Sequence, residues 1–161
     1  TDEIDRMLRQ GGTMRLTTRT NLAMRALMFC AVNPDTIVRK SDIAAACNAS
    51  ENHLGLVINQ LAQRGFIQTT RGRHGGLKLG RPADQITVGG VFRVLESDLP
   101  FAECFSATEN TCPLAGICRL NATLCKALEA FYATLDGVTI ADLIRDNAPL
   151  RAALCLDRVA A

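Results

Sequence analysis

Three cysteines, Cys104, Cys112 and Cys118, span fifteen residues of the stretch "ECFSATENTCPLAGICRL" that begins at Glu103. Seven residues separate the first pair and five the second, and one proline interrupts the run. No helical or strand period appears until the stretch ends, so the thiols are expected in a loop that can wrap a compact object. Structural zinc favours cysteine pairs two to four residues apart and a closed set of four ligands. There is no CxxC here, and both histidines, His53 and His74, fall in the other half of the chain. The looser spacing fits an iron–sulfur cluster better, because its thiolates must reach irons at different corners. Three thiols also leave one iron with a non-cysteine ligand or an open site. Cys125 is a candidate fourth ligand, but two helical turns, about 10.5 Å, would separate it from Cys118 if both were helical. It also falls beside Leu124 and Leu128 on an apolar stripe, where packing is the simpler role. Cys30, Cys47 and Cys155 have apolar neighbours and read as small core hydrophobes.

The elements that would position such a loop can be traced along the chain. The segment "TNLAMRALMFCAV" (20–32) carries a wide apolar face, with Thr20 as its cap and Asn33-Pro34 as its stop. A short helix over 42–47 follows, with Ser41 as its cap, and Asn48-Ala49 makes a tight turn. A second helix opens at Ser50, carries Leu54, Val57, Ile58 and Leu61 inward, and ends at Gly65. Two short helices across a tight turn form the helix-turn-helix pattern. The strand-like "FIQTT", the basic glycine-rich turn "RGRHGG" and the returning "LKL" add a hairpin, which completes a winged helix.

Charge agrees with that reading. The net charge is only +2, yet residues 1–81 hold twelve Lys and Arg against six Asp and Glu. No acid occurs between Glu51 and Asp84, while Arg64, Arg71, Arg73, Lys78 and Arg81 do. A basic, acid-free stretch beside a helical pattern suits double-stranded DNA, though a solvated basic face or a plain hairpin would share the composition. In a DNA complex, Ser50, Glu51, Asn52 and His53 would sit in the first turn of the recognition helix, facing base edges. Arg71, Arg73 and His74 would sit at the wing tip, along phosphates or the minor groove.

Downstream, Thr87 can cap a helix running to Glu96. Beyond the loop, Leu120, Leu124, Leu128, Phe131 and Leu135 recur at helical spacing up to Gly137. A helix of about 18 residues spans about 27 Å, and the small winged domain has no obvious surface to cover it. A second copy would cover it and would match a palindromic operator, whereas packing within one chain is the plainer alternative. Thr139 with Asp142 forms a capping box for a short last helix.

The expected architecture is thus mainly α with a small β-hairpin wing. Residues 1–13 form an extension, 14–96 the winged helix-turn-helix domain, 97–118 the cluster-binding loop, 119–136 the dimerisation helix, and 137–161 a C-terminal helix and tail. With 161 residues, 48% of them hydrophobic, a folded core is expected. No apolar run reaches the ~18 residues of a membrane span. The acidic start lacks the apolar core of a signal peptide, so a cytoplasmic location is expected. An electron carrier or redox enzyme on the same cluster is the rival from another class. No GxGxxG follows a strand, and no cysteine–histidine pair with an orienting third group is apparent, so no enzyme is expected.

From Met14 onward the chain resembles the Rrf2 family of transcription regulators. The resemblance rests on "MRLTTRTNLAMRAL", on "SENHLGLVINQLAQRGFIQTTRGRHGGLKLGRPADQITVGGVFRVLE" and on the cysteine stretch. It implies a winged-helix homodimer with long dimerisation helices. It also implies three loop cysteines per subunit holding an iron–sulfur cluster, [4Fe–4S] or else [2Fe–2S], that controls DNA binding. The segments "ENHLGLVINQL", "ITVGGVFRVLE" and "CRLNATLCKALEAFYATLDGVTIADLI" are most similar to the branch of repressors that sense nitric oxide. The cysteine spacing and the "RGR.GG…LGRPAD" wing are also similar to an iron-regulator branch. Some nitric-oxide-sensing relatives take a fourth ligand from an aspartate in the first helix of the partner subunit. The matching position here is Asn21, a neutral amide.

Overall fold

The computed structural model describes residues 17–72, 75–96, 101–106 and 110–156. Residues 1–13 and the wing-tip pair Arg73 and His74 lie outside the described residues. The order of elements is α1 (Thr18–Val32), α2 (Lys40–Ala46), α3 (Glu51–Gln63), β1 (Ile67–Thr70), β2 (Gly76–Leu79), α4 (Val88–Glu96), α5 (Arg119–Asp136), α6 (Ile140–Ile144) and α7 (Ala148–Leu154). This is the mainly helical winged fold that the sequence leads one to expect.

Helix α1 starts earlier than the apolar pattern suggests. Its cap is Thr17, whose Oγ1 accepts from the Thr20 N–H at 3.2 Å. Thr20, expected as the cap, is instead buried inside the first turn and donates its hydroxyl to Glu96. Glu96 Oε1 also accepts from Thr17 N (3.3 Å) and Thr17 Oγ1 (2.8 Å), while Arg19 Nη2 donates to the Leu95 carbonyl at 2.6 Å. The start of α1 is thereby fastened to the end of α4. At its other end, the buried Asn33 donates to the carbonyls of Phe29 (2.9 Å) and Leu154 (2.8 Å) and accepts from Leu156 N (3.1 Å). The residue that ends α1 therefore also anchors the C-terminal helix.

Two further caps differ from expectation. Helix α2 begins at Lys40, so Ser41 lies within its first turn. The cap position is Arg39, whose N–H donates to Asp42 Oδ2 at 2.8 Å. Ser50 does hold the cap position of α3 but makes no side-chain capping bond. Asn48 turns the chain between these helices at φ 48°, a left-handed conformation that asparagine tolerates well.

The two wing strands pair antiparallel, with Ile67 opposite Leu79 and Thr70 opposite Gly76. Val38 adds a one-residue third strand through Val38 N to Leu77 O (3.2 Å) and Leu77 N to Val38 O (2.8 Å). At Gly75 a Cβ would collide with the Thr70 carbonyl, which accounts for a glycine at that point of the turn. Leu54, Val57, Ile58 and Leu61 of α3 face inward, and Phe29, Leu27 and Ala26 of α1 are fully buried.

The C-terminal segment holds two short helices where one was expected. The Thr139–Asp142 capping box is present, and Thr139 N donates to Asp142 Oδ2 at 2.9 Å. Helix α7 then begins after Asn147, whose Oδ1 accepts from Leu150 N at 3.2 Å. Helix α5 meets α4 at Gly89, where a Cβ would run into the side chain and backbone of Asp136. Arg93 grips that same Asp136 through two bonds of 2.6 Å and stacks 4.4 Å from the Tyr132 ring centre.

The close approach at Gly89 makes Gly89→Ala a test of the joint. The added methyl should push α5 off α4, break the Arg93–Asp136 pair and cost about 1–3 kcal/mol, the usual range for overpacking. Denaturant unfolding of the full chain measures it, and an unchanged midpoint would refute the close approach. The Glu96 carboxyl is pushed up by burial, but bonds from Thr20 and Thr17 and the charge of Arg19 outweigh this and hold it below its usual range. Its stabilising effect is therefore complete above the unfolded value of about 4.3 and is lost as pH falls through the lower folded value. Glu96→Gln should lower the melting temperature at pH 7 and flatten its fall between about pH 5 and 3. Asp136 and Asp142, also held low by their partners, would keep part of that fall.

Candidate nucleic-acid interface and cysteine loop

The outward face of α3 carries the residues expected to meet DNA. Ser50, Glu51, Asn52 and His53 are all exposed in or beside its first turn. Glu51 is paired with Lys40 of α2 at 3.4 Å, so its charge is partly balanced where a phosphate would approach. The Lys40 stem passes α3 at Gly55, 3.8 Å from where a Cβ would stand. Arg71 is exposed at the start of the wing turn, and Gly72 beside it has φ 106°. Arg81, a member of the basic stretch, has a structural task. It donates to the carbonyls of Arg64 (2.9 Å) and Gly65 (3.3 Å) and lies 4.7 Å from the Phe66 ring centre. A cation there satisfies the C-terminal end of α3.

The cysteines divide by environment. Cys30 is buried, and burial pushes its thiol up to about 12. Burial also raises Cys47, against a small opposing effect of Arg25. Cys104, Cys112, Cys118 and Cys125 are free thiols of intermediate exposure, and Cys155 is similarly half-buried. Cys125 donates weakly to Asn121 Oδ1 at 3.8 Å within α5.

The loop around Cys104, Cys112 and Cys118 is fastened by residues that carry no signal of spacing. Cys104 lies in a single helical turn, Glu103–Phe105. Glu103 Oε1 accepts from Thr111 N (2.8 Å) and Thr111 Oγ1 (2.6 Å), tying the residue before Cys104 to the residue before Cys112. Those bonds hold the Glu103 carboxyl below its usual range. Asn110 Oδ1 accepts from Cys112 N at 3.1 Å. Cys118 is the cap residue of α5, its N–H bonded to Leu114 O at 3.1 Å. Asn121, one turn into α5, donates to the Cys104 carbonyl at 3.4 Å. The one hint in the sequence is that Glu103 and Thr111 each directly precede a cysteine.

Among the described residues, no three Cys, His, Asp or Glu side chains converge on one point in the single chain. The donor set nonetheless suits a thiolate-bound cluster, with three free, half-exposed thiols on one fastened loop. Asn21 is exposed one turn into α1, near the Thr17–Glu96 contact.

Helix α5 is unusual among the longer helices. None of its eighteen residues is buried, although Leu124, Leu128, Phe131 and Leu135 form an apolar stripe. Ile117 and Leu120 at its start are 78% and 61% exposed. No helix among the described residues is long and apolar enough to cross a membrane.

The family model of Rrf2, described as an iron-dependent transcriptional regulator, matches residues 16–146. The chain is 47% identical over 132 residues to protein aau3 of Rhizobium meliloti, covering 82% of this chain and 86% of that one. It is 43% identical over 142 residues to the HTH-type transcriptional regulator NsrR of Geobacillus kaustophilus, covering 88% and 97%. In fold it is similar to IscR of T. potens, with a TM-score of 0.66 and 24% identity over 85% of this chain and 90% of that one. CymR, the global cysteine regulator of B. subtilis, superposes with a TM-score of 0.64 at 24% identity, covering 81% and 96%. A family match over most of the chain, on a winged helix-turn-helix body, places this protein in the Rrf2 family of DNA-binding transcription regulators, which are not enzymes.

Proposed function

We propose that this regulator is a cytoplasmic homodimeric repressor whose affinity for a palindromic operator is set by an iron–sulfur cluster that senses nitric oxide. The observation that carries the reading is the position of three free, half-exposed thiols. Their loop runs from the DNA-reading body to an eighteen-residue helix with no buried residue. Cys104, Cys112 and Cys118 would hold the cluster, and the cluster would supply chemistry that responds to a small signal molecule. The protein's own residues do the rest. Glu103 ties the loop to itself at Thr111, and Asn121 ties the Cys104 carbonyl to α5. Glu96, at the end of α4, ties the stem of the loop to the start of α1. The apolar stripe of α5 would pair with its copy and set the spacing of two α3 helices. Support for the nitric-oxide signal comes from similarity to NsrR along most of the chain.

A second reading keeps the protein and changes the signal to iron supply. It is favoured by the iron-dependent description of the family. Titrating the anaerobically purified, coloured protein with nitric oxide and, separately, with an iron chelator separates the two. Visible absorbance and operator binding are followed together. Release of DNA by nitric oxide at stoichiometric amounts supports the first reading, and release by chelator alone supports the second. A colourless preparation that still bound DNA would overturn both.

The thiol assignment predicts that Cys104→Ala, Cys112→Ala or Cys118→Ala each abolishes bound iron and sulfide, whereas Cys30→Ala, Cys47→Ala and Cys155→Ala keep them. Full iron in the Cys104 variant would refute it. The amide of Asn21 lacks the charge that makes a carboxylate a good iron ligand. Contributed by the partner subunit, Asn21→Asp should therefore slow iron loss to a chelator, and Asn21→Ala should change it little. Equal rates in all three proteins would remove α1 from the site.

DNA binding should separate by residue. Arg71→Ala should weaken specific and random duplexes alike and lower the salt dependence, as removal of a phosphate-binding cation does. The same direction is expected for Arg73 and His74. Asn52→Ala and His53→Ala should instead narrow the gap between specific and random duplexes, by about 1–3 kcal/mol for each base no longer recognised. Gel shifts with both duplexes at several salt concentrations decide it.

A further inference from the structure

Helix α3 carries five large aliphatic side chains, and four of them, Leu54, Val57, Ile58 and Leu61, are buried. The fifth, Leu56, is 66% exposed. It does not belong to the core. It stands in the middle of a polar stripe, one turn after Asn52 and one turn before Asn59, with Gln63 beyond, all three exposed. Side chains at such spacings share one helix face. The neighbouring Gly55 offers no side chain, and the Lys40 stem fills that flank with its ammonium close to Glu51. The outward face of the recognition helix is therefore a polar stripe with one apolar point and a cation beside it.

We propose that Leu56 contacts the C5-methyl group of a thymine in the operator and so specifies an A·T pair at that position. The inference rests on the DNA-binding reading of α3 and goes beyond it by assigning a base. The physical reason is selective. In the major groove every polar edge group would be left without a partner against Leu56, and the thymine methyl is the one apolar group displayed there. Asn52, on the same stripe, suits the donor–acceptor pair of adenine. The two side chains are separated by about 6 Å along the helix, against about 3.4 Å per base step. The thymine should therefore fall within about two base pairs of the position read by Asn52.

The test uses the full chain, purified without oxygen. A pool of duplexes with a random core is enriched for binding, and each thymine of the winning duplex is then replaced by deoxyuridine, which removes the methyl group alone. Binding should weaken about fourfold at one thymine per half-site, the effect of returning one buried methyl to water. That sensitive position should lie within about two base pairs of the one whose preference Asn52→Ala erases. In Leu56→Ala the deoxyuridine effect should vanish there and persist elsewhere. Leu56 is exposed, so the variant should keep its fold, which circular dichroism checks. A flat deoxyuridine profile for the natural protein, or the same profile in both proteins, overturns the assignment while leaving DNA binding standing. An unchanged profile accompanied by a changed association state would assign Leu56 to a protein contact and overturn it as well. If no duplex is enriched at all, the DNA-binding reading falls and the base assignment falls with it.

Discussion

Phe29, Leu27, Ala26 and Ala23 of α1 have no exposed surface, and the elements that cover them come from the whole length of the chain. Helix α1 packs against α2, α3, α4, α6, α7 and β2. Removing this apolar face from water draws the recognition helix, the wing and the two C-terminal helices onto one bed. Polar bonds then fix the register that burial alone would leave loose. Asn33 holds α7, and Glu96 holds α1 to α4. A charged group with three hydroxyl and amide donors on one oxygen is a directional contact, and its removal would be felt at both helix ends.

Helix α5 is joined in a different way. Its link to α4 includes Gly89 against Asp136, the Arg93–Asp136 pair, Tyr132 under Arg93, and Phe92 near Phe131 with ring centres 6.2 Å apart. The ion pair is largely exposed, and exposed pairs contribute little to stability. The two bonds of the pair give the joint a direction. The cysteine loop connects the two helices that meet there, leaving α4 after Glu96 and entering α5 at Cys118. Under the proposed function, a change in the loop therefore acts on the joint that carries α5 relative to the body. Asn121 of α5, which donates to the Cys104 carbonyl, is the residue through which the loop would pass its state to α5.

Much of this is legible in the sequence because its signals are local. The 3.6-residue spacing of Leu54, Val57, Ile58 and Leu61, the glycines around Arg71, the Thr87 cap, bonded to Gly90 N at 3.1 Å, and the Thr139–Asp142 box each act within a few residues. The features that sequence misplaces depend on distant partners. Thr20 looks like a cap because its partner Glu96 lies 76 residues away. Ser41 looks a better cap than Arg39 because propensity ignores the Asp42 carboxylate that reaches back. Helix α7 escapes notice because its seven residues hold too few turns to show a period, and its anchor is Asn33, 121 residues upstream of Leu154. At the cysteine loop the ligand types are legible, but the Glu103–Thr111 tie is not, since a loop has no period to set two residues eight positions apart side by side. Leu56 hides because the apolar pattern around it absorbs one more leucine without contradiction, and exposure alone sets it apart.

Seven cysteines in one chain pose a problem of selectivity, and burial answers part of it. The thiolate is the form that binds metal and attacks oxidants. At Cys30, packed against α1's own core neighbours, ionisation is pushed to about 12, so that thiol stays protonated and inert at any physiological pH. Cys47 is moved the same way. In the loop, Glu103, Asn110 and Asn121 bond to backbone groups, and the three thiols lie half-exposed. The fold thus sets its cysteines in two environments, a buried core and a half-exposed loop. The core keeps its cysteines as small hydrophobes, while the loop fixes the backbones of its three and leaves their thiols open to chemistry.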